Sequence, residues 1–311
     1  MSAARQCFES MLAGRCDGRP AWLPLVDELP ARLSQTSYRE LTADAGLWTA
    51  GLATAAELLG ADAIVAGFDP TLTAEACGAG LDWSSMPAGL ALAPAEIAAQ
   101  PTAAPRQAAL LETLRRLGAT ARARFGLVAM LAGPATLARQ LCPEQPLEEG
   151  LRRIKTAHMA VAEAMLQARP DLLLLDERMP DPEVEPERAW QRTFGTLRNL
   201  AAHYDVPLGL RVENWGAGQA PWLAGLKLQV LLLGAGSGDA LTVARELAAG
   251  PLAVGVPVPV HGDAGTDAII GAVSAARAAG SRLFLSTATA VGGQGDLAAL
   301  RGLAARLRAA T

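Results

Sequence analysis

Polar and ionisable side chains collect where short apolar runs end. Phe68-Asp69-Pro70 closes one run, Asp176-Glu177-Arg178 follows Leu172–Leu175, and Arg211-Val212-Glu213-Asn214 closes another. Asp27-Glu28, His261 with Asp263, and Ser286-Thr287 end three more. Asp69 is a candidate site residue at the end of its run. A guanidinium grips a carboxylate through two parallel N–H donors, so Arg211 and Arg178 are candidates for holding an acidic small-molecule substrate. Asp176, Glu177, Glu213 and His261 complete the candidate binding set. Each has a structural alternative. Asp-Pro starts turns, so Asp69 can serve as a cap. Residues 176–178 can form a solvated charge cluster. Arg211 and Glu213 lie two apart on a strand, hence on one side of it, and can simply neutralise each other. His261 lies in a Gly-containing loop and can be an exposed residue without a role.

Other chemistry finds less support. The three histidines (His158, His203, His261) are far apart, and the four cysteines form no Cys-x-x-Cys. No zinc-ligand spacing is present, and no metal site is expected. There is no Gly-x-Ser-x-Gly. The GAGSG run at 234–238 could cradle a phosphate, but it lacks the Lys and spacing of a P-loop and reads better as a tight turn. Trp83 and Trp215 fall in loops, where an aromatic wall would suit a flat ligand.

These residues need elements to position them. Apolar runs at 21–26, 63–68, 126–132, 171–175, 206–212, 228–233, 252–256 and 282–286 predict strands. Helical patterns at 44–59, 107–123, 147–168, 187–203, 238–248, 264–279 and 295–309 alternate with them. Eight continuously apolar strands alternating with helices predict a parallel α/β fold, and eight is the number that closes a TIM (β/α)8 barrel. The length of 311 residues suits a single barrel domain spanning 1–311, with an insertion around 84–106. In such a barrel the strand ends that carry the polar residues share one mouth. With 51 % hydrophobic residues a large core is assured, and the net charge of −4 gives no footprint for nucleic acid. All but two of the 27 basic residues are arginine, which reads as genome composition. No run of 18 apolar residues predicts a membrane span. Scattered cysteines and an N-terminus without a signal-peptide pattern fit a reducing, cytoplasmic setting.

Several segments, in order, resemble the uroporphyrinogen decarboxylase superfamily, which includes the decarboxylase and cobalamin-linked methyltransferases. FESMLAGRCDGRPAWLP is similar to the family's opening segment. Asp69, Glu75, Ala76 and Gly78 match an Asp-x5-Glu-Ala-x-Gly pattern, and LAGPATLARQL resembles the segment after the third strand. Gly255-Val-Pro-Val-Pro259 sits at the family's Gly-Asn-x-Asp-Pro turn. The resemblance implies a TIM barrel, and barrels of this family often pair as homodimers.

The departures are as informative. Where the decarboxylase has substrate-holding arginines, this chain reads Leu23-Pro24-Leu25-Val26-Asp27-Glu28-Leu29. The family's tyrosine and serine fall at Gln140 and Glu177, its last histidine has no counterpart in LSTATAVGG, and Asp69 alone is kept. The methyltransferases' zinc ligands, His-x-Cys and a later Cys, fall at Arg211-Val212-Glu213 and at Ser286-Thr287-Ala288-Thr289. Three readings follow. The first is a divergent decarboxylase-like lyase, working without metal or cofactor on a carboxylated molecule, in which the resemblance implies that Asp69 is the catalytic carboxylate that steadies a cationic intermediate. The second is a zinc-independent methyltransferase linked to a corrinoid protein, with Glu213 and Glu177 polarising the acceptor. The third is a non-catalytic ligand-binding barrel.

Overall fold

The computed structural model describes residues 1–16, 18–85, 88–179, 181, 188–260, 264–294 and 296–309. Eight parallel strands form one sheet: β1 (Trp22–Leu23), β2 (Ala63–Ala66), β3 (Gly126–Ala132), β4 (Leu172–Arg178), β5 (Leu208–Glu213), β6 (Val230–Leu233), β7 (Ala253–Val258) and β8 (Leu283–Thr287). Their order, β1-β8-β7-β6-β5-β4-β3-β2, brings first and second strands to the two edges. The edges meet at Asp62. Its main-chain N–H donates to Trp22 O at 2.9 Å, and its carboxylate accepts from Trp22 N at 2.8 Å and from Arg19 Nη1 at 2.7 Å. The TIM-barrel arrangement predicted from the strand count is thus present.

The predicted strands all form, with shifted ends. The first breaks after Leu23 because Pro24 has no N–H for the ladder. Hydroxyls replace the missing rungs: Ser286 Oγ donates to Leu23 O at 2.8 Å, and Leu25 N donates to Thr287 Oγ1 at 3.0 Å. The second ends at Gly67, whose φ of +94° turns the chain away. A Cβ there would sit 2.6 Å from Met130 O, so only glycine fits. The fourth runs on to Arg178, because Asp176 and Arg178 pair in register with Arg211 and Glu213.

Thirteen helices surround the sheet among the described residues: α1 (Ala3–Leu12), α2 (Leu29–Leu33), α3 (Tyr38–Ala43), α4 (Ala45–Leu59), α5 (Leu72–Ala76), α6 (Pro105–Thr120), α7 (Pro134–Leu141), α8 (Leu147–Gln167), α9 (Arg188–His203), α10 (Ala220–Gly225), α11 (Ala240–Leu247), α12 (Ala264–Ala278) and α13 (Leu297–Ala309). The region read as an insertion holds one strand of a small antiparallel hairpin (Gly80–Asp82 with Gly89–Leu92) and a 3-10 turn at Pro101–Ala103.

Alternation along the strands sorts side chains into two cores. Leu23, Ala63, Val65, Val128, Met130, Leu172, Leu174, Val230, Leu232 and Phe284 fill the lumen. Ile64, Leu127, Leu131, Leu173, Leu175, Leu208, Leu210, Val212 and Leu231 pack outward against the helices. The unpredicted α1 closes the lumen from below: Phe8 and Met11 are buried in it. Gly126 makes room, since a Cβ there would lie 2.3 Å from Phe8. No helix among the described residues is long and apolar enough to cross a membrane.

Candidate functional site

The same alternation decides which polar residues reach the lumen. On β4, Asp176 is in phase with Leu172 and Leu174, so it points inward. On β5, Leu210 and Val212 face the helices, so Arg211 and Glu213 face the lumen. Arg211 Nη1 donates to Asp176 Oδ1 at 2.6 Å and Nη2 donates to Glu213 Oε1. The guanidinium lies 5.2 Å from the Phe68 ring centroid and is about 1 % exposed, whereas the Asp176 and Glu213 side chains are 22 % and 31 % exposed. The cation therefore forms the floor, and two carboxylates rise from it toward the mouth. Gly234, just past the end of β6, leaves space for them: a Cβ there would lie 2.9 Å from Glu213 Cγ and 3.1 Å from Arg211 Nη2. Burial raises the Asp176 pKa from its ordinary value, with Arg211 opposing.

Asp69 lies beyond the end of β2 in a different network. Its Oδ2 accepts from Tyr38 Oη at 3.0 Å and from Arg106 Nη2, and its Oδ1 accepts from Thr71 N and Oγ1, both at 2.8 Å. Arg106 also reaches Glu75 Oε2 at 2.7 Å and Thr42 Oγ1 at 2.9 Å, and lies 4.9 Å from the Trp83 ring centroid. The Asp69 side chain is 1 % exposed, and it shares the charge of Arg106 with Glu75. Asp27 lies near enough for Asp69 to raise its pKa, adding to the larger effect of burial.

Glu177, of opposite phase, points into the helix layer. It accepts from Ala135 N at 2.7 Å and Thr136 N at 3.1 Å, capping α7, and from Trp190 Nε1 at 2.5 Å. Burial pushes its pKa up to about 6. Arg178 is exposed at the rim opposite Glu213, and its main-chain N donates to Thr136 Oγ1 at 2.8 Å. His261 and Asp263 lie outside the described residues. The structure thus brings Asp176, Arg211 and Glu213 together, with Arg178 at the rim above Glu213. Asp69 sits in its own network, and Glu177 is turned away from the lumen.

Arg106 and Tyr38, which fix Asp69, were not singled out from sequence. A signal existed for Arg106: it shares a helical face with Ala109, Leu110 and Thr113, all buried. The expected aromatic wall fails at Trp215, which is fully buried and donates from Nε1 to Gly234 O at 2.8 Å. Within the GAGSG run, Gly236–Ser237 pair in parallel with Trp215–Gly216, and the chain then leads into α11, whose N-cap is Asp239; its carboxylate opposes an anion there. Zinc of the design implied by the resemblance does not fit this donor set. Arg211 has no lone pair to give, and Ser286 and Thr287 offer hydroxyls already hydrogen-bonded to Leu23 O and Leu25 N where a thiolate is needed. No group of three metal-binding side chains occurs among the described residues.

No family model and no curated sequence matches the chain. Solved structures do. A methyltransferase from Methanosarcina mazei superposes with a TM-score of 0.79 at 15 % identity, over 99 % of this chain and 98 % of that one. A B12-independent methionine synthase from Shewanella sp. W3-18-1 gives 0.58 at 12 % identity, over 94 % and 95 %. A putative vitamin-B12 independent methionine synthase from Listeria monocytogenes gives 0.55 at 13 % identity, over 94 % and 96 %. At such identities the likeness establishes the fold alone, a TIM barrel over nearly the whole chain.

Proposed function

We propose that this barrel is a zinc-independent methyltransferase that moves a methyl group between a corrinoid, acting as a co-substrate, and a small acceptor. One observation carries the reading: the Asp176–Arg211–Glu213 assembly stands on the lumen wall at the strand position where the resembled methyltransferases hold zinc. The whole-chain likeness to a methyltransferase fold supports it. A decarboxylase-like reading draws less support. Asp69, which would steady a cationic intermediate, is buried and already ion-paired to Arg106, which it shares with Glu75. Arg211, which would hold substrate acids, already carries two carboxylates.

The chemistry asked of the chain is modest. The acceptor's thiol, amine or hydroxyl must lose its proton as its lone pair attacks the methyl carbon. The electron pair of the broken methyl bond departs with the donor. Asp176 receives the proton, its burial-raised pKa making it a better base than an exposed carboxylate. Arg211 holds Asp176 in place and keeps the paired carboxylates from repelling. Glu213, the more exposed of the two, orients the acceptor.

The test is absorbance of methylcobalamin incubated with the protein and a panel of small thiols, amines and alcohols. Acceptor-dependent demethylation, slowed about 100-fold in Asp176→Asn, is the expected result. Release of carbon dioxide from a carboxylated tetrapyrrole with no demethylation would overturn the reading in favour of the lyase.

A further inference from the structure

The N-terminal face of a TIM barrel, opposite the mouth, ordinarily serves stability. Here it holds two adjoining cavities of about 530 and 390 Å³, which share Asp205, Val206 and Pro207 in their walls. Arg122 and Arg169 line the larger, and Arg198 and Lys227 line the smaller. Arg5 also borders the larger, but it is neutralised by Asp171 and Glu9. Among the described residues, none of the other four cations forms an ion pair, although Asp205 stands between the two cavities. Arg122 donates from Nη2 to the main-chain carbonyl of Arg169, which draws two arginines to one wall. Its Nε is shut off from solvent and has no acceptor among the described residues.

Gathered like charges repel, and a donor closed off from water without an acceptor is unfavourable. An anion with several oxygens would relieve both. We propose that this groove binds a small phosphorylated anion, with Arg122 and Arg169 on one phosphoryl group and Lys227 reaching a second. Arginine forks match phosphoryl oxygens, and the volumes suit a small ligand better than a macromolecular surface.

Inorganic pyrophosphate is the probe, titrated calorimetrically into the full-length protein at low and moderate salt. The expected result is saturable binding with a Kd below about 1 mM, weakened about tenfold in Arg122→Gln and several-fold in Lys227→Gln. Lys227 is exposed, so its variant retains a readable result should Arg122→Gln fail to fold. No saturable binding by the unaltered protein, or equal affinity in Lys227→Gln and in folded Arg122→Gln, overturns the proposal. Tighter binding of citrate than of pyrophosphate overturns the assignment to phosphate.

Discussion

Arg211 holds a carboxylate on each of its two terminal nitrogens, and Glu177, one residue along β4 from Asp176, reaches none of that network. A single step of strand phase separates a lumen group from a helix cap. Burial affects other residues as strongly. His158, in α8, is fully buried with Nε2 2.8 Å from Ala132 O, and burial lowers its pKa to about 4. Its neutral form is favoured in the fold, so the unfolded chain binds more protons between pH 4 and 6.5, and stability falls as the pH drops through that range. Glu177 has the opposite sign. With its folded pKa raised to about 6, the native state binds more protons, and stability falls as the pH rises from about 4.5 through 6. The histidine shift is the larger, so net acid lability is expected from the pair. Urea midpoints for His158→Gln should lose about 3 kcal/mol of acid destabilisation between pH 6.5 and 4. An unchanged pH profile would show that His158 is not the group responsible.

At the scale of elements, the barrel depends on two contacts at its base: the Asp62 seam and the α1 plug. Phe8 enters the lumen because Gly126 has no side chain. Gly126→Ala should therefore destabilise by roughly 1–3 kcal/mol in urea unfolding, and Phe8→Ala in that background should recover part of the loss. Full additivity of the two changes would show that they do not share a space. Neither feature was legible in the sequence, because α1 carries only two buried residues and its role depends on a strand more than 100 residues away. The strands and long helices were legible, since continuous apolar runs and 3.6-residue periodicity are local properties. The phase of those strands was not. Leu172–Leu175 are apolar on both faces, so nothing local reveals that position 176 points in and 177 out. Arg211 with Glu213 followed from their spacing of two, whereas Asp176 joined them through register with the neighbouring strand.

Across the whole molecule, the two ends of the barrel carry contrasting electrostatics. Two carboxylates stand over one buried guanidinium in the lumen below the C-terminal mouth, and four cations without ion pairs among the described residues line cavities on the opposite face. The methyl transfer proposed for the lumen would require the first arrangement to work as a unit, because losing Arg211 leaves two carboxylates facing each other without their counter-ion. The deciding measurement is the single-turnover rate of methyl transfer from methylcobalamin by chelator-treated protein, compared with its Arg211→Gln variant. Chelation should leave the rate unchanged, and Arg211→Gln should lower it about 100-fold. A rate abolished by chelation and restored by zinc, or an undiminished rate in Arg211→Gln, would rule out a zinc-independent Asp176–Arg211–Glu213 site.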